Sequence, residues 1–278
     1  MKTLSVVITT KNEEANIANC INSFAAYREE VEVIVVDNGS TDATKRIAEE
    51  LGAAVYEQGP ERSAQRNRGV REAKGEWVII LDADMIIPKE TITEILTITQ
   101  PTQLHPAHPA HPASPSAYWI PEVRTGEGLR TKARNFERSF YDGTAIDALR
   151  LFRREVFLAV GGYDENLIAG PEDWEIDIRV KAAGYQCAVL KNHLIHNEKR
   201  LSFKRMLEKK AYYSKSMAAY QAKWHGHPAL KKQFGLYYRF LGVFIERGKW
   251  KKLLRHPVLA AVMYFERIAV GFTYLLNR

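Results

Sequence analysis

The chain is poor in the features that staple a fold or carry it through a membrane. Of 278 residues only two are cysteine. Cys20 and Cys187 lie in apolar segments without Cys-x-x-Cys or Cys-x-x-His spacing, so a disulfide framework and a zinc site are both disfavoured, and the two thiols read as reduced core residues. Neither a Gly-x-Gly-x-x-Gly fingerprint nor a Walker phosphate loop occurs, which excludes the common dinucleotide folds and P-loop enzymes. A nucleotidyltransferase would want a glycine-rich loop after its first strand, where this chain has Thr9-Thr10-Lys11-Asn12. The N-terminal apolar run, Leu4 to Ile8, is too short and too strand-like for a signal peptide, and a cytoplasmic location is expected. No stretch of about 20 residues is apolar throughout. The nearest, 257–276, is broken by Glu266-Arg267, and a charge at the centre of a spanning helix costs about 2.5 to 3.5 kcal/mol.

What is present is enough apolar residue, 46% of the chain, for one large α/β domain with an appendage or for two modest ones. The net charge of +7 implies attraction to anions. Lysine and arginine cluster beyond Lys199, and the texture there turns basic and aromatic, so a boundary is expected near 197–200. The resulting division is a catalytic domain over 1–198 and a helical region over 199–278. In the latter, 257–276 is expected to lie in a membrane interface, with Glu266 and Arg267 near water and Lys249, Lys251, Lys252 and Arg255 on anionic head groups. Packing of these helices on the catalytic domain or on a second subunit is the alternative.

Short β-branched runs, Ser5 to Thr10, Val31 to Asp37 and Trp77 to Asp82, read as buried strands that alternate with helices. Asn12 is expected to cap a helix toward Phe24, Ser40 or Thr41 one toward Leu51, and Ser63 one through Ala73. Such alternation predicts a mostly parallel sheet with ligands bound at the carboxyl ends of its strands. Thr9-Thr10, Asp37 and Asp82-Ala83-Asp84 would emerge there together. The segment 100–115, with His105, His108 and His111 in a His-Pro-Ala repeat, reads as a polyproline-like solvated loop. Further on, Tyr118 to Ile120 reads as a strand, and Glu172 to about Ala183 as a helix closed by Gly184 with Trp174, Ile178 and Ala182 on one face.

Two carboxylates at a strand end, Asp82 and Asp84, suit a hard divalent cation that completes its shell with phosphates and water, although a capped β–α turn would look the same. Asp37-Asn38-Gly39-Ser40-Thr41-Asp42 follows another strand, with Gly39 permitting a tight turn. Asp173, in the first turn of its helix, is placed either to stabilise a helix N-terminus or to act as a general base.

Val6 to Glu14, Val33 to Asp42, Asp82-Ala83-Asp84, Gly161-Gly162-Tyr163-Asp164 and Glu172-Asp173-Trp174-Glu175 occur in that order. Together they resemble the family 2 inverting glycosyltransferases of GT-A fold, over Leu4 to His196. The resemblance implies that Thr9, Thr10, Glu13, Asp37 and Gly39 hold the donor nucleotide. It implies further that Arg66 approaches the donor phosphates, and that Asp82 and Asp84 bind Mn²⁺ or Mg²⁺, with His196 completing the metal site. Asp173 is then the catalytic base, with Glu172 beside it, and Asp82 also touches the donor. The Gln-x-x-Arg-Trp motif of processive synthases is missing, since Gln221-Ala222-Lys223-Trp224 is one residue short and carries lysine. Transfer of a single sugar is therefore expected, from a nucleotide sugar, most often a UDP-sugar, to a saccharide or lipid-linked acceptor at the inner face of the cell membrane. Nucleic acid is not an expected partner. The rival of another class is a non-catalytic module for a membrane surface or a nucleotide, supported by the basic C-terminal region alone.

Overall fold

A computed structural model describes residues 2–100, 114–167, 170–197 and 216–276, with 270–276 as backbone alone. The His-Pro-Ala repeat and the basic residues from Lys199 to Lys210 lie outside the described residues. The strands β1 (Leu4–Thr10), β2 (Val31–Asp37), β3 (Ala54–Glu57) and β4 (Trp77–Asp82) alternate with helices α1 (Ile17–Asn22), α2 (Thr44–Glu50) and α3 (Arg62–Glu72). After β5 (Met85–Ile86) and α4 (Lys89–Thr99) come β6 (Ala117–Trp119), β7 (Glu122–Arg124), α5 (Gly128–Arg138), β8 (Leu149–Arg153), α6 (Arg154–Ala159), α7 (Glu172–Ala182), β9 (Cys187–Val189) and β10 (Leu194–His196). The C-terminal helices used below are α8 (Met217–Lys223), α9 (Pro228–Phe234), α10 (Trp250–Arg255) and α11 (Pro257–Leu276).

A seven-stranded sheet has the order β3-β2-β1-β4-β8-β6-β9, and β8 alone runs against its neighbours. A second sheet, β5-β10-β7, sits beside it. Both faces of β1 are covered. Leu4, Val6 and Ile8 join one apolar cluster with Ile17, Ile21 and Phe24, while Val7 joins another with Val70, Phe152 and Ile176. Burial on both faces explains why these strands read as unbroken apolar runs. The second face requires α3 to lie close, because a Cβ built on Gly69 would stand 2.2 Å from Val7 Cγ1. Glycine there lets α3 press onto the strand ends and fixes where its polar side chains fall.

Several local expectations shift. Asn12 does not cap a helix: it adopts φ 53°, α1 is confined to Ile17–Asn22, and the side-chain oxygen Asn12 Oδ1 accepts from the Thr41 amide at 2.8 Å. The helix expected from Ser40 or Thr41 begins at Thr44, because the Ser40 hydroxyl serves the turn by donating to Asp37 and accepting from the Asn12 amide. On α7 the stripe is split. Ile176 and Val180 face the sheet, Trp174 and Ile178 pack toward Tyr220, and Ala182 is exposed. Cys20 and Cys187 are both free thiols, the first fully buried.

The C-terminal helices sit on this framework. Trp174, Ile178 and Leu167 pack with Tyr220, Trp224 and Phe234, while Phe136 and Phe140 pack with Phe244 and Met263. Among the described residues no helix is long and apolar enough to cross a membrane. Arg267 does not stay near water. It pairs with Glu137 and stacks over the Phe244 ring at 5.1 Å, and its neighbour Glu266 meets Arg130 at 2.8 Å. Lys249 and Lys252 likewise turn inward to donate to the Phe140 carbonyl and the Ser139 hydroxyl, leaving Lys251 and Arg255 exposed.

Candidate active site

The register pairs Thr10 with Asp37 and Thr9 with Asp82, so β1, β2 and β4 end level with one another. The loops that follow are stitched together by side chains: the Asn12 amide donates to Ser40 Oγ and the Glu13 amide to Thr44 Oγ1, both at 2.8 Å. Asp37 is fully buried, and both its oxygens accept from Ser40, from the amide at 2.7 Å and from the hydroxyl. Gly39, at φ 64°, makes that turn possible.

Helix α3 crosses these ends with one polar face. Gln65 donates to the carbonyls of Thr10 and Val36 at 3.1 and 2.7 Å and ties β1 and β2 to the helix. Arg66, only 1% exposed, donates to Asp173 Oδ1 at 2.9 Å and to Asp82 Oδ1 at 3.4 Å, with Glu172 Oε1 at 3.6 Å. Arg62 stands 3.8 Å from Asp82 and 3.9 Å from Glu172. Asn67 holds the Gly161-Gly162-Tyr163 turn through the Tyr163 amide and carbonyl, and the Tyr163 ring lies 5.0 Å from the Arg66 guanidinium. That motif therefore builds the wall behind Arg66.

From β4 the chain turns through Asp82-Ala83-Asp84 into β5, whose antiparallel partner β10 brings His196 opposite Met85. His196 Nε2 lies 3.2 Å from Asp84 Oδ2. The other Asp84 oxygen, Oδ1, is buried without a hydrogen-bond partner. Four of the nine such orphaned side-chain atoms among the described residues belong to Thr10, Arg66, Asp84 and Glu172. Native interiors leave few polar atoms unpaired, so this concentration marks a place where a ligand supplies the partners. An open cleft of about 340 Å³ lies here, lined among others by Thr10, Glu13, Arg62, Asp82, Asp84 and His196.

The charges are set by this packing. Burial alone would raise the pKa of Asp82, but Arg66, Arg62, Arg150 and the Thr9 hydroxyl outweigh it and hold the carboxyl far below its ordinary range. Glu172 goes the other way: burial and the adjacent Asp173 raise it despite both arginines. Burial opposes a charge on His196, yet Asp84 and Glu122 raise its pKa above the usual 6.5. Behind His196, Glu122 is buried but pinned by Arg150 at 2.8 Å and Arg138 at 3.5 Å, which bring its pKa down from 4.5 to about 2.

Of the residues singled out by sequence, Thr9, Thr10, Glu13, Asp82, Asp84 and His196 meet in the cleft. Asp37 and Gly39 shape the turn beneath it. Arg66, Glu172 and Asp173 form an adjoining ion cluster that shares Asp82. Among the described residues no three His, Cys, Asp or Glu groups stand together as a closed metal cage. Asp84 and His196 touch, while Asp82 is drawn to the arginines. Lys11, Asn38, Arg62 and Gln65 also line the cleft and went unrecognised in the sequence. The spacing of Arg62, Gln65, Arg66 and Gly69 on one face of α3 was the signal for the last two.

The family model described as glycosyl transferase family 2 matches residues 5–161. The chain belongs to that family. An uncharacterized glycosyltransferase of Rickettsia typhi is 43% identical over 97 residues, 34% of this chain and 32% of the relative. Glycosyltransferase AglE of Haloferax volcanii is 34% identical over 91 residues, 29% of this chain and 30% of that protein. The chain thus aligns with about a third of the length of these curated relatives. Among solved structures, a mannosyltransferase from Pyrobaculum calidifontis in complex with GDP-Man and Mn²⁺ superposes with a TM-score of 0.58 at 19% identity, covering 98% of this chain and 80% of that one. Glucosyl-3-phosphoglycerate synthase of Mycobacterium tuberculosis with Mn²⁺, UDP and glucosyl-3-phosphoglycerate gives 0.55 at 18% identity, covering 80% of each chain. These likenesses establish the GT-A fold.

The buried Glu122 yields a prediction. Its depressed pKa means that the stability it contributes is complete above about pH 4.5 and is lost as pH falls through about 2. Glu122→Gln should therefore lower stability near neutral pH by up to about 3 kcal/mol, and the gap to wild type should close on acidification. Urea midpoints at pH 7, 4 and 3 check this; a gap independent of pH contradicts it.

Proposed function

We propose that this protein is an inverting glycosyltransferase that moves a single sugar from a nucleotide-diphosphate sugar, a UDP-sugar in the first instance, to an acceptor hydroxyl. The observation that carries this reading is that one guanidinium, Arg66, bonds both Asp82 at the cleft and Asp173 beside it. A donor-binding carboxylate and a basic carboxylate are thereby held within the span of one side chain. Thr9, Thr10, Glu13 and the turn built by Asp37 and Gly39 receive the nucleotide, and Arg62 faces its phosphates with the buried Arg66 behind it. Residues 1–198 form the catalytic unit in this reading and 199–278 the C-terminal region, whose described helices pack on it through Tyr220, Phe234, Phe244 and Met263.

Asp84 and His196 fit a divalent cation, Mn²⁺ or Mg²⁺, because both residues line the cleft, one Asp84 oxygen has no hydrogen-bond partner, and a mixed oxygen and imidazole set suits such ions. Asp82 is the third candidate ligand. When bound, the cation neutralises charge that develops on the departing diphosphate. Asp173 takes the proton of the acceptor hydroxyl as its oxygen bonds to the anomeric carbon. The bond from that carbon to the diphosphate oxygen breaks on the opposite face, the nucleoside diphosphate leaves with the electron pair, and the anomeric configuration inverts. Arg66 fixes the Asp173 carboxylate through Oδ1, with Glu172 Oε1 at 3.6 Å from the same guanidinium.

We also propose peripheral association with an anionic membrane, near a lipid-linked acceptor. One face of α11 packs inward through Leu259, Met263 and Arg267, while Val258, Phe265 and Ile268 on the other are 63%, 74% and 51% exposed. On the preceding helix α10, Leu254 is 71% exposed, and Lys251 and Arg255 are exposed beside it in sequence. Burying such a stripe at an interface is favourable, and cations beside it add attraction to anionic lipid.

Two outcomes follow. Asp173→Asn should lower the transfer rate by about 10² to 10⁴ with donor affinity nearly unchanged, as expected for loss of a general base. Loss of donor affinity with the rate at saturation intact would make Asp173 a binding residue instead. In co-sedimentation, vesicles rich in phosphatidylglycerol should retain the protein better than phosphatidylcholine vesicles, and Phe265→Glu should weaken retention. Equal retention on both, or no effect of the substitution, contradicts the membrane assignment.

A further inference from the structure

A second cavity, of about 400 Å³, lies between the C-terminal half of α7 and the start of α9, away from the donor cleft. It is comparable in size to the cleft itself and within the range of roughly 300 to 1,000 Å³ usual for small-molecule sites. Asp177, Lys181, His227 and Lys232 line it, with Ala145 and Ile178 as apolar wall. None of these residues is shared with the lining of the donor cleft.

Two features of the lining are incomplete. Asp177 is 4% exposed; Lys181 satisfies its Oδ2 at 2.8 Å, but Oδ1 is buried with no hydrogen-bond partner. An unpaired buried carboxylate oxygen is costly and calls for a donor such as a hydroxyl. Burial also holds this carboxyl up at about 6 in spite of Lys181, as expected of a group short of partners. The second feature is Lys232, an exposed ammonium whose described contact is the Tyr238 ring at 5.4 Å, with no carboxylate in ion-pair reach among the described residues. Lys181 is already offset by Asp177, so the cavity carries one cation in excess. His227 accepts the Ala229 amide through Nδ1 at 3.3 Å, which directs its other ring nitrogen away from that turn as a further polar group. Lys232 offers an anion a free cationic partner at the cavity, and the orphaned carboxylate oxygen offers a hydroxyl of the same molecule an acceptor.

We propose that this cavity is a second binding site, distinct from the donor cleft, for a small polyol phosphate: the phosphate on Lys232 and a hydroxyl donating to Asp177 Oδ1. The site lies at the seam between α7, whose first turn carries Asp173, and α9 of the C-terminal region. Occupancy would therefore brace the helix that presents the proposed base. The binding claim itself does not depend on the chain being a glycosyltransferase.

Amide chemical shifts of the full-length protein, titrated with glycerol 1-phosphate, test it. Saturable shifts are expected at residues 177–182 and 227–232, with inorganic phosphate binding there at least about tenfold more weakly and glycerol producing none. Lys232→Ala, on an exposed side chain that leaves the fold intact, should weaken glycerol 1-phosphate by about tenfold or more. Asp177→Asn should remove most of the preference over inorganic phosphate. Shifts seen with short-chain phosphatidylglycerol but not with free glycerol 1-phosphate would support the site with a lipid headgroup as its source. Shifts confined to residues 61–66, equal affinity for phosphate and glycerol 1-phosphate, or unchanged binding by Lys232→Ala would overturn the proposal.

Discussion

Arg66 is a fully buried cation, and the arrangement around the cleft follows from keeping it charged. Burial opposes that charge, and the carboxylates of Asp173, Asp82 and Glu172 overcome it. A buried ion that lost its partners would cost about 3 to 5 kcal/mol, so the carboxylates are bound to the guanidinium as firmly as it is to them. Asp82 arrives on β4, Glu172 and Asp173 on the first turn of α7, and Arg66 from α3. Three segments distant in sequence are thus locked to a common point by electrostatics, while the apolar clusters on the two sheet faces set only their approximate approach.

That lock explains why so much of the polar apparatus is structural rather than chemical. Gln65 ties strand ends to the helix that carries Arg66, and Asn67 and Gly162 hold Tyr163 behind it; a Cβ on Gly162 would stand 2.5 Å from the Asn67 Oδ1. Arg179 serves the same wall from α7, pairing with Glu175 and donating to the Gly162 carbonyl at 2.6 Å. On the far side of the cleft, Glu122 and Arg150 form a second buried pair that backs His196. Four of the nine unsatisfied side-chain atoms among the described residues remain at this one place, three oxygens on Thr10, Asp84 and Glu172 and a nitrogen on Arg66. Such a concentration suits a site that a ligand completes.

The long strands and their carboxyl ends were legible in the sequence because β1, β2 and β4 are buried on both faces and cannot tolerate polar interruptions. The order of Asp82, Asp84, Glu172 and Asp173 was legible for the same reason, each being tied to the end of a strand or the start of a helix. Ala54–Glu57 escaped because it carries no β-branched run, and β5, β7 and β10 because two or three residues hold no period. The reversal of β8 depends on long-range pairing that no local pattern encodes. Asn12 looked like a helix cap because asparagine favours caps, but it also tolerates positive φ, and the tertiary bond to the Thr41 amide decided between the two. Arg267 looked like a solvated charge within an apolar run, and only the fold shows that Glu137 and Phe244 receive it.

Arg66 joins Asp173 to Asp82 by charge, and a double-mutant cycle on stability measures such coupling directly. Arg66→Gln and Asp173→Asn, made singly and together, should be non-additive by about 1 kcal/mol or more in urea unfolding, because each single change strips the other partner of a counter-charge. Additivity within about 0.5 kcal/mol would mean that the two residues are merely neighbours, and the account of the site built on their pairing would fail.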